Sequence, residues 1–323
     1  MPAPSARGGA SIGERIIGLE LGWLTDFAWR DGGVVVRKTG ATTPLDRVVL
    51  GHVFTWLRYF ALVRAVGLAK RLAGRRGPAI WFSPAVPRPW YMIRSAACWA
   101  GMRVVADPAK ADIAFHFDDS TWSPAAAAFA GPTINYGCRD ISKSNINRIF
   151  EAVFGYPLGI DPLIWTGAAV EKAETNSLHD GRIVQCPTRP LSGRCFQRLI
   201  ETSTGGQVID FRTACVASEP VAVWLKTRGE DNRFASGANF TVSSHPPAAV
   251  FASEELQLIV AFNAAIGLEW GTLDILRGRD DRIYIVDVNK TDVGPVLQLP
   301  MRDKIASTNA LARALVKAIA KAR

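Results

Sequence analysis

The sequence predicts an α/β segment followed by an α+β segment, and three observations carry that expectation. From about Gly32 to Thr133, short apolar runs alternate with helical stretches, the pattern of a small domain with a largely parallel sheet. After Thr133 to Tyr136, strand-like runs follow one another with turn residues between them, as antiparallel strands do. At 323 residues, the chain is long enough for about two domains and a cleft between them. With 48% hydrophobic and 21% charged residues, composition excludes a disordered tail, a collagen or a disulfide miniprotein.

The elements are expected in this order. A strand at Val34 to Val36 precedes a helix across Pro44 to Leu72 and a strand at Ala79 to Phe82. A helix from Trp90 to Gly101 and strands at Arg103 to Val105 and Asp112 to Phe117 complete the first part. A helix from Ser144 to Phe154 opens the second, followed by strands at Ala168 to Ala173, Ile183 to Cys186, Cys195 to Ile200, Gln207 to Ala217 and Pro220 to Lys226. The next helix, Ser253 to Ile266, takes Ser253 as its N-cap, with Glu254 and Glu255 complementing the helix dipole. A last helix from Ile305 carries Leu311, Leu315, Val316 and Ile319 at helical spacing.

Several function classes are excluded or demoted. Val48 to Leu72 is apolar but interrupted by Arg58, Arg64, Lys70 and Arg71, so no membrane insertion is expected. The N-terminus lacks the apolar core of a secretion signal, and the protein is read as cytoplasmic with its first dozen residues mobile. Five cysteines without a CxxC pair indicate reduced thiols and no zinc site. No GxGxxG motif supports dinucleotide binding. The net charge of +9 is concentrated at the ends: residues 1–130 hold 16 Lys and Arg against 9 Asp and Glu, residues 131–301 hold 16 against 19, and residues 302–323 hold 6 against 1. The basic ends raise a nucleic-acid or membrane-surface reading. Packing of the last helix against the body is the simpler account of the tail, and no nucleic-acid partner is expected.

The chemistry is concentrated in Gly271 to Pro295. Thr272 to Arg277 and Arg282 to Asn289 flank Gly278, Arg279, Asp280 and Asp281, a hairpin signature. A four-residue loop pairs Arg277 with Arg282, Asp274 with Ile285 and Thr272 with Asp287. Period-2 alternation then brings Asp274, Asp287 and Asn289 to one face. Two carboxylates and a carboxamide suit a hard cation such as Mg2+; a solvated polar face is the competing reading, and a loop of odd length breaks this geometry.

An Asp followed thirteen residues later by the Asp of an Asp-Val-Asn strand end resembles the metal-binding hairpin of the ATP-grasp superfamily, of the carboxylate-amine ligase type. The resemblance covers roughly residues 130 to 300. It implies a small Rossmann-like α/β preceding domain (1–130), a two-subdomain ATP-grasp fold (131–301) and a basic C-terminal helix (302–323). Lys143 and Lys172 resemble the family's two nucleotide-binding lysines, and Gln197, Leu199, Ile200 and Glu201 its adenine-contacting hinge strand. Lys226 and Arg228 resemble later basic positions, and Arg212 an arginine near the phosphates or substrate. Arg212 and Arg228 are the implied catalytic residues, and Asp274, Asp287 and Asn289 the implied Mg2+ ligands. The chain departs from the family at Thr272, where an Arg is frequent, and in the loop Lys290 to Pro295. Asn176, Ser177, His179, Asp180 and Gly181 are candidates for a lid. His116, Asp118 and Asp119 stand where substrate is expected beyond a parallel strand, and Asn239 is a further cleft candidate.

The implied function is an ATP- and Mg2+-dependent ligase. It would convert a small-molecule or peptide carboxylate to an acyl phosphate and join it to an amine or thiol. The alternatives are a kinase acting on a hydroxyl and a nucleotide-binding protein without turnover. A homo-oligomer is consistent with the family.

Overall fold

The computed structural model describes residues 25–30, 32–37, 42–44, 46–176, 178, 180–202, 206–229 and 240–322. Ser177, His179 and Asn239 lie outside the described residues, as does the N-terminal stretch. The chain divides into two units, residues 1–57 and 58–323. In the first, β1 (Phe27–Arg30), β2 (Gly33–Val36) and β3 (Thr42–Pro44) form an antiparallel sheet in that order. Helix α1 (Arg47–Leu72) begins in this unit and runs on without a break into the second.

The second unit opens with the parallel sheet that alternating strands and helices predict. Strands β4 (Ala79–Pro84), β5 (Arg103–Val105), β6 (Ile113–Phe117) and β7 (Thr133–Ile134) pair in parallel in the order β5-β4-β6-β7. Helix α2 (Met92–Trp99) lies between β4 and β5 in sequence. All five residues of β6 are buried, as a parallel strand covered on both faces requires.

Two antiparallel sheets follow. The first, ordered β10-β8-β9, contains β8 (Gly167–Ala173), β9 (Arg182–Cys186) and β10 (Arg194–Arg198). The second contains β11 (Gln207–Val216), β12 (Glu219–Gly229), β13 (Thr241–His245), β14 (Trp270–Arg277) and β15 (Ile283–Asn289), in the order β13-β12-β11-β14-β15. Helix α3 (Lys143–Phe154) is capped by Ser142, whose Oγ accepts from the Asn145 N–H at 3.4 Å, and it stops at Gly155 in the left-handed region. Helix α4 (Ser253–Ile266) has the expected span, but its N-cap is Ala252. The Glu255 carboxylate reaches back to the Ala252 N–H at 2.9 Å and does the capping that a Ser253 hydroxyl was expected to do. Helix α4 ends at Gly267, where φ is +76° and a Cβ would stand 2.5 Å from the Gly137 carbonyl carbon, so only glycine fits.

Helix α5 (Met301–Ala322) starts four residues before its expected beginning. Leu311, Leu315 and Ile319 are buried in the core while Val316 is 37% exposed, so Val316 belongs to the outer face, contrary to expectation. Lys304, one of the tail's cations, is buried, and its ammonium donates to the Leu297 and Leu299 carbonyls at 2.7 and 2.6 Å. The tail is thus part of the folded body.

Alternation divides the five-stranded sheet between two cores. Ala214, Val216, Ala222, Trp224 and Trp270 pack with α2, α5 and the parallel sheet. Cys215, Val223, Leu273, Ile275, Ile285 and Val288 pack with α3 and α4. Asn135, fully buried with φ +60°, ties β7 to β14. Its Oδ1 accepts from the Glu269 and Trp270 N–H groups at 2.9 and 2.8 Å, and its Nδ2 donates to the Trp270 carbonyl at 2.7 Å.

Candidate functional site, a cationic cleft at a bulged hairpin

The hairpin differs from its expected register in two compensating ways. Arg277 pairs with Ile283 and Ile275 with Ile285, so the loop holds five residues, one more than expected. Continued unchanged, that register would set Asp274 opposite Val286 and turn Asp287 into the apolar core. A β-bulge intervenes between Asp274 and Ile275, leaving Val286 as the extra residue, and beyond it Asp274 faces Asp287 and Thr272 faces Asn289. The expected pairs Asp274 with Ile285 and Thr272 with Asp287 are therefore corrected. The physical reason is visible in the core: Leu273 and Ile275 are two apart on β14, whereas their buried partners Val288 and Ile285 are three apart on β15.

Directly opposed carboxylates repel, and cations surround this pair. The Lys143 ammonium forms an ion pair with Asp287 and donates to Asn176 Oδ1 at 2.9 Å. Arg212 Nη1 lies 3.4 Å from Asp274 Oδ1. Lys172 Nζ donates to the Val286 carbonyl at 3.2 Å, using a backbone acceptor at the bulge. Desolvation lowers the Lys172 ammonium to about 8, against the pull of Asp287. Burial pushes the Asp274 carboxyl up, but Arg212, Lys226, Lys143 and Lys172 together hold it below the usual range. Burial likewise lowers Lys226, opposed first by Asp274, and raises Asp292 to about 6.

The residues line two adjoining chambers of about 360 and 470 Å³ that share Lys172, Gly181, Arg212, Asp274 and Asp287. Lys143, Asn176, Asp180, Asn289 and Asp292 border the first. Gln197, Leu199, Ile200, Lys226 and Arg228 border the second. Of the residues singled out from sequence as cofactor, catalytic or metal positions, Glu201 is the one not lining either chamber; its carbonyl accepts from the Arg279 N–H at 3.0 Å. Gln197 is buried, and its Nε2 donates to Asn147 Oδ1 at 2.7 Å.

Strand alternation explains the placement. On β8, Val170 and Lys172 face the cleft, while Glu171 between them is buried and held by Arg182 Nε at 2.8 Å and Arg194 Nε at 2.9 Å. On β11, Val208, Asp210 and Arg212 share the cleft face, as Lys226 and Arg228 do on β12. Asp210, which pairs with Arg228, was missed from sequence although its spacing two before Arg212 marks it. Phe240 was also missed; Lys226 and Arg228 stand 6.0 and 5.9 Å from its ring centre. Asn176, expected in a lid, instead tethers Lys143 and donates to the Val288 carbonyl at 3.3 Å. His116 is buried at the end of β6 and does not line the chambers; Asp118 Oδ1 accepts from the Ser120 N–H at 2.8 Å as a turn cap.

Among the described residues no group of three or more His, Cys, Asp or Glu side chains is arranged to hold a metal ion. Two carboxylates and a carboxamide nevertheless fit Mg2+, which takes oxygen ligands and is commonly held by one or two carboxylates together with substrate phosphates and water.

No protein-family model and no curated protein sequence matches the chain. Solved structures similar to it include the ATP-grasp ligase PsnB complexed with a phosphomimetic variant of minimal precursor, Mg and ADP, at 11% identity over 72% of this chain and 99% of that one, with a TM-score of 0.47. In another PsnB structure, complexed with minimal precursor, the match spans 65% of the ligase and 55% of this chain, at 14% identity and a TM-score of 0.38. The macrocyclase MdnC bound with precursor peptide MdnA from Microcystis aeruginosa matches at 10% identity over 74% of this chain and 99% of that one, TM-score 0.43. An ATP-grasp RimK domain protein from Sphaerobacter thermophilus matches at 11% identity over 75% and 99%, TM-score 0.44.

Proposed function

We propose that the chain is an ATP- and Mg2+-dependent ligase that activates a small-molecule or peptide carboxylate as an acyl phosphate and joins it to an amine. The observation that carries this reading is the convergence of Lys143, Lys172, Arg212 and Lys226 on the opposed pair Asp274 and Asp287 in one cleft. Such a site binds a polyphosphate through point charges and one guanidinium fork. Asp274, Asp287 and Asn289 would hold Mg2+, which neutralises phosphate charge during transfer. Lys143, which pairs with Asp287 and borders the first chamber, would supply a point charge to phosphate oxygens. The substrate carboxylate oxygen attacks the γ-phosphorus and ADP leaves; the amine nitrogen then attacks the acyl carbon and phosphate leaves. Arg212 and Arg228 stabilise charge on the transferring group, so no protein nucleophile is required.

The test is calorimetric titration of ATP with and without Mg2+, on wild type and Asp287→Asn, followed by a screen of carboxylates with hydroxylamine as the trapping amine. Mg2+-dependent binding that weakens about 100-fold in the variant, and hydroxamate formation with release of phosphate, support the reading. A stable phosphorylated product indicates transfer to a hydroxyl, and Mg2+-independent binding equal in the two proteins removes the metal assignment.

A further inference from the structure

Four carboxylates line the first chamber, and three of them have a cation. Asp274 stands 3.4 Å from Arg212, Asp287 pairs with Lys143, and Asp180 pairs with Arg194. Asp292, the most buried of the four at 3% exposure, forms no ion pair among the described residues. The Trp270 indole N–H donates to its Oδ1 at 3.1 Å, and its own N–H is the other donor. The backbone around it is fixed against the start of α2. The Met92 N–H donates to the Asp292 carbonyl and the Gly294 N–H to the Trp90 carbonyl, both at 3.0 Å, with Tyr91 and Val293 bridged between them. Burial raises the Asp292 carboxyl to about 6 against the pull of Arg212, so it carries its charge at neutral pH. A buried charge without a counterion is costly, and the fold holds this one at the wall of the cleft.

We propose that Asp292 is the acceptor subsite of the cleft and receives the amine substrate as a primary ammonium. The subsite deepens the ligase reading, and its covalent step rests on that reading. A primary ammonium brings a compact charge and three N–H donors, which supply the missing counterion and offset the carboxylate's desolvation. A guanidinium fork fits less well, because Oδ1 is already engaged by Trp270. A hard divalent cation wants several oxygen ligands, and the other carboxylates of the chamber are paired. The ammonium nitrogen attacks only after losing a proton, which passes to Asp292; a carboxyl raised by burial is a better base than an ordinary one. The freed lone pair forms the C–N bond at the acyl carbon, the C–O bond to phosphate breaks, and phosphate leaves with that electron pair. The nitrogen's second proton departs with the phosphate, and Asp292 returns its own to water as product leaves. An uncharged thiol or hydroxyl would leave Asp292 without a counterion, so the same carboxylate selects an amine.

The test begins with thermal unfolding of the full chain in methylammonium, tetramethylammonium or sodium chloride at equal ionic strength. Methylammonium should raise the midpoint of the wild type above that in the other two salts. Asp292→Asn, which is isosteric and still accepts from Trp270, should lose that rise. With a carboxylate that yields hydroxamate, kcat/KM is then measured for methylamine and for hydroxylamine, which is mostly uncharged at neutral pH. The ratio of the first to the second should fall about 100-fold in the variant, whereas a merely structural defect would slow both acceptors alike. Equal rises in the two proteins, no rise in either, or an unchanged acceptor ratio overturns the proposal. So does a loss of Mg2+-dependent ATP binding as large as that of Asp287→Asn, which would make Asp292 part of the nucleotide site. Stabilisation that depends on Asp292, without hydroxamate from any carboxylate, removes the ligase reading and leaves the ammonium subsite standing.

Discussion

One face of the five-stranded sheet changes character along its length. At one end Val216, Ala214, Ala222, Trp224 and Trp270 are buried against helices α2 and α5 and the parallel sheet. Two residues beyond Ala214 and Trp224, and four beyond Trp270, with the same alternation, stand Arg212, Lys226 and Asp274, followed by Asp210 and Arg228. Alternation therefore decides which residues share a face, whereas the layer packed above decides what that face must be made of. Where two helices cover it, an unpaired charge would be costly to bury. Where the cover is a second sheet held off by a cleft, opposite charges gather and lower one another's cost. Thr272 marks the frontier, between Trp270 and Asp274, with a buried hydroxyl that has no hydrogen-bond partner.

The widest break of this contrast is expected from the covered end. Trp224 is 1% exposed, and its indole N–H donates to Ser307 Oγ at 3.0 Å, joining β12 to α5. Trp224→Ala should lower stability by about 3–5 kcal/mol, read as a shift of the urea midpoint. Asn135→Ala comes next. It leaves one buried and one part-buried N–H donor and one carbonyl without their partner at the β7 to β14 seam, which should cost roughly 2–4 kcal/mol by the same assay. A loss below about 1 kcal/mol would show that water takes over the role of the carboxamide.

Much of this organisation was legible in the sequence, and the exceptions have physical causes. Short β-rich runs located the strands because buried strands must be apolar and turns must not. The cleft residues Lys172, Arg212 and Lys226 could be named because they stand at fixed places relative to those strands. The bulge at Val286 was harder, since it depends on which face of β15 finds a core. The spacing of Ile285 and Val288, three apart where alternation asks for two, is its trace. The Ala252 cap was hidden for a different reason: an alanine cannot cap, and the carboxylate that does so sits three residues later.

At the cleft end the contrast is sharpened by pH. Folding lowers Lys172 to about 8, below its ordinary 10.5, because its ammonium is desolvated. The native state thus binds fewer protons than the unfolded chain between those values, so this lysine's contribution to stability rises with pH across that window. Below about pH 8 the cost of the buried cation is present in full. Lys172→Met should remove the rise, a difference on the order of 1–3 kcal/mol between the two proteins' pH profiles. Parallel profiles would mean that the ammonium is solvated in the cleft.

The smallest effect on stability is expected two residues beyond the tryptophan whose loss is the largest. Lys226 follows Trp224 on the same face of β12, yet it borders the cleft. Removing it relieves the desolvation that lowers its pKa and gives up attraction to Asp274, which keeps Arg212, Lys143 and Lys172 as neighbours. These changes oppose each other, so Lys226→Ala should stay within about 1 kcal/mol of wild type while weakening ATP binding about tenfold by calorimetry, the loss of one charge-assisted contact. A variant as unstable as Trp224→Ala would mean that the charged end of the sheet also holds the fold together, and the division of labour along this face would fail.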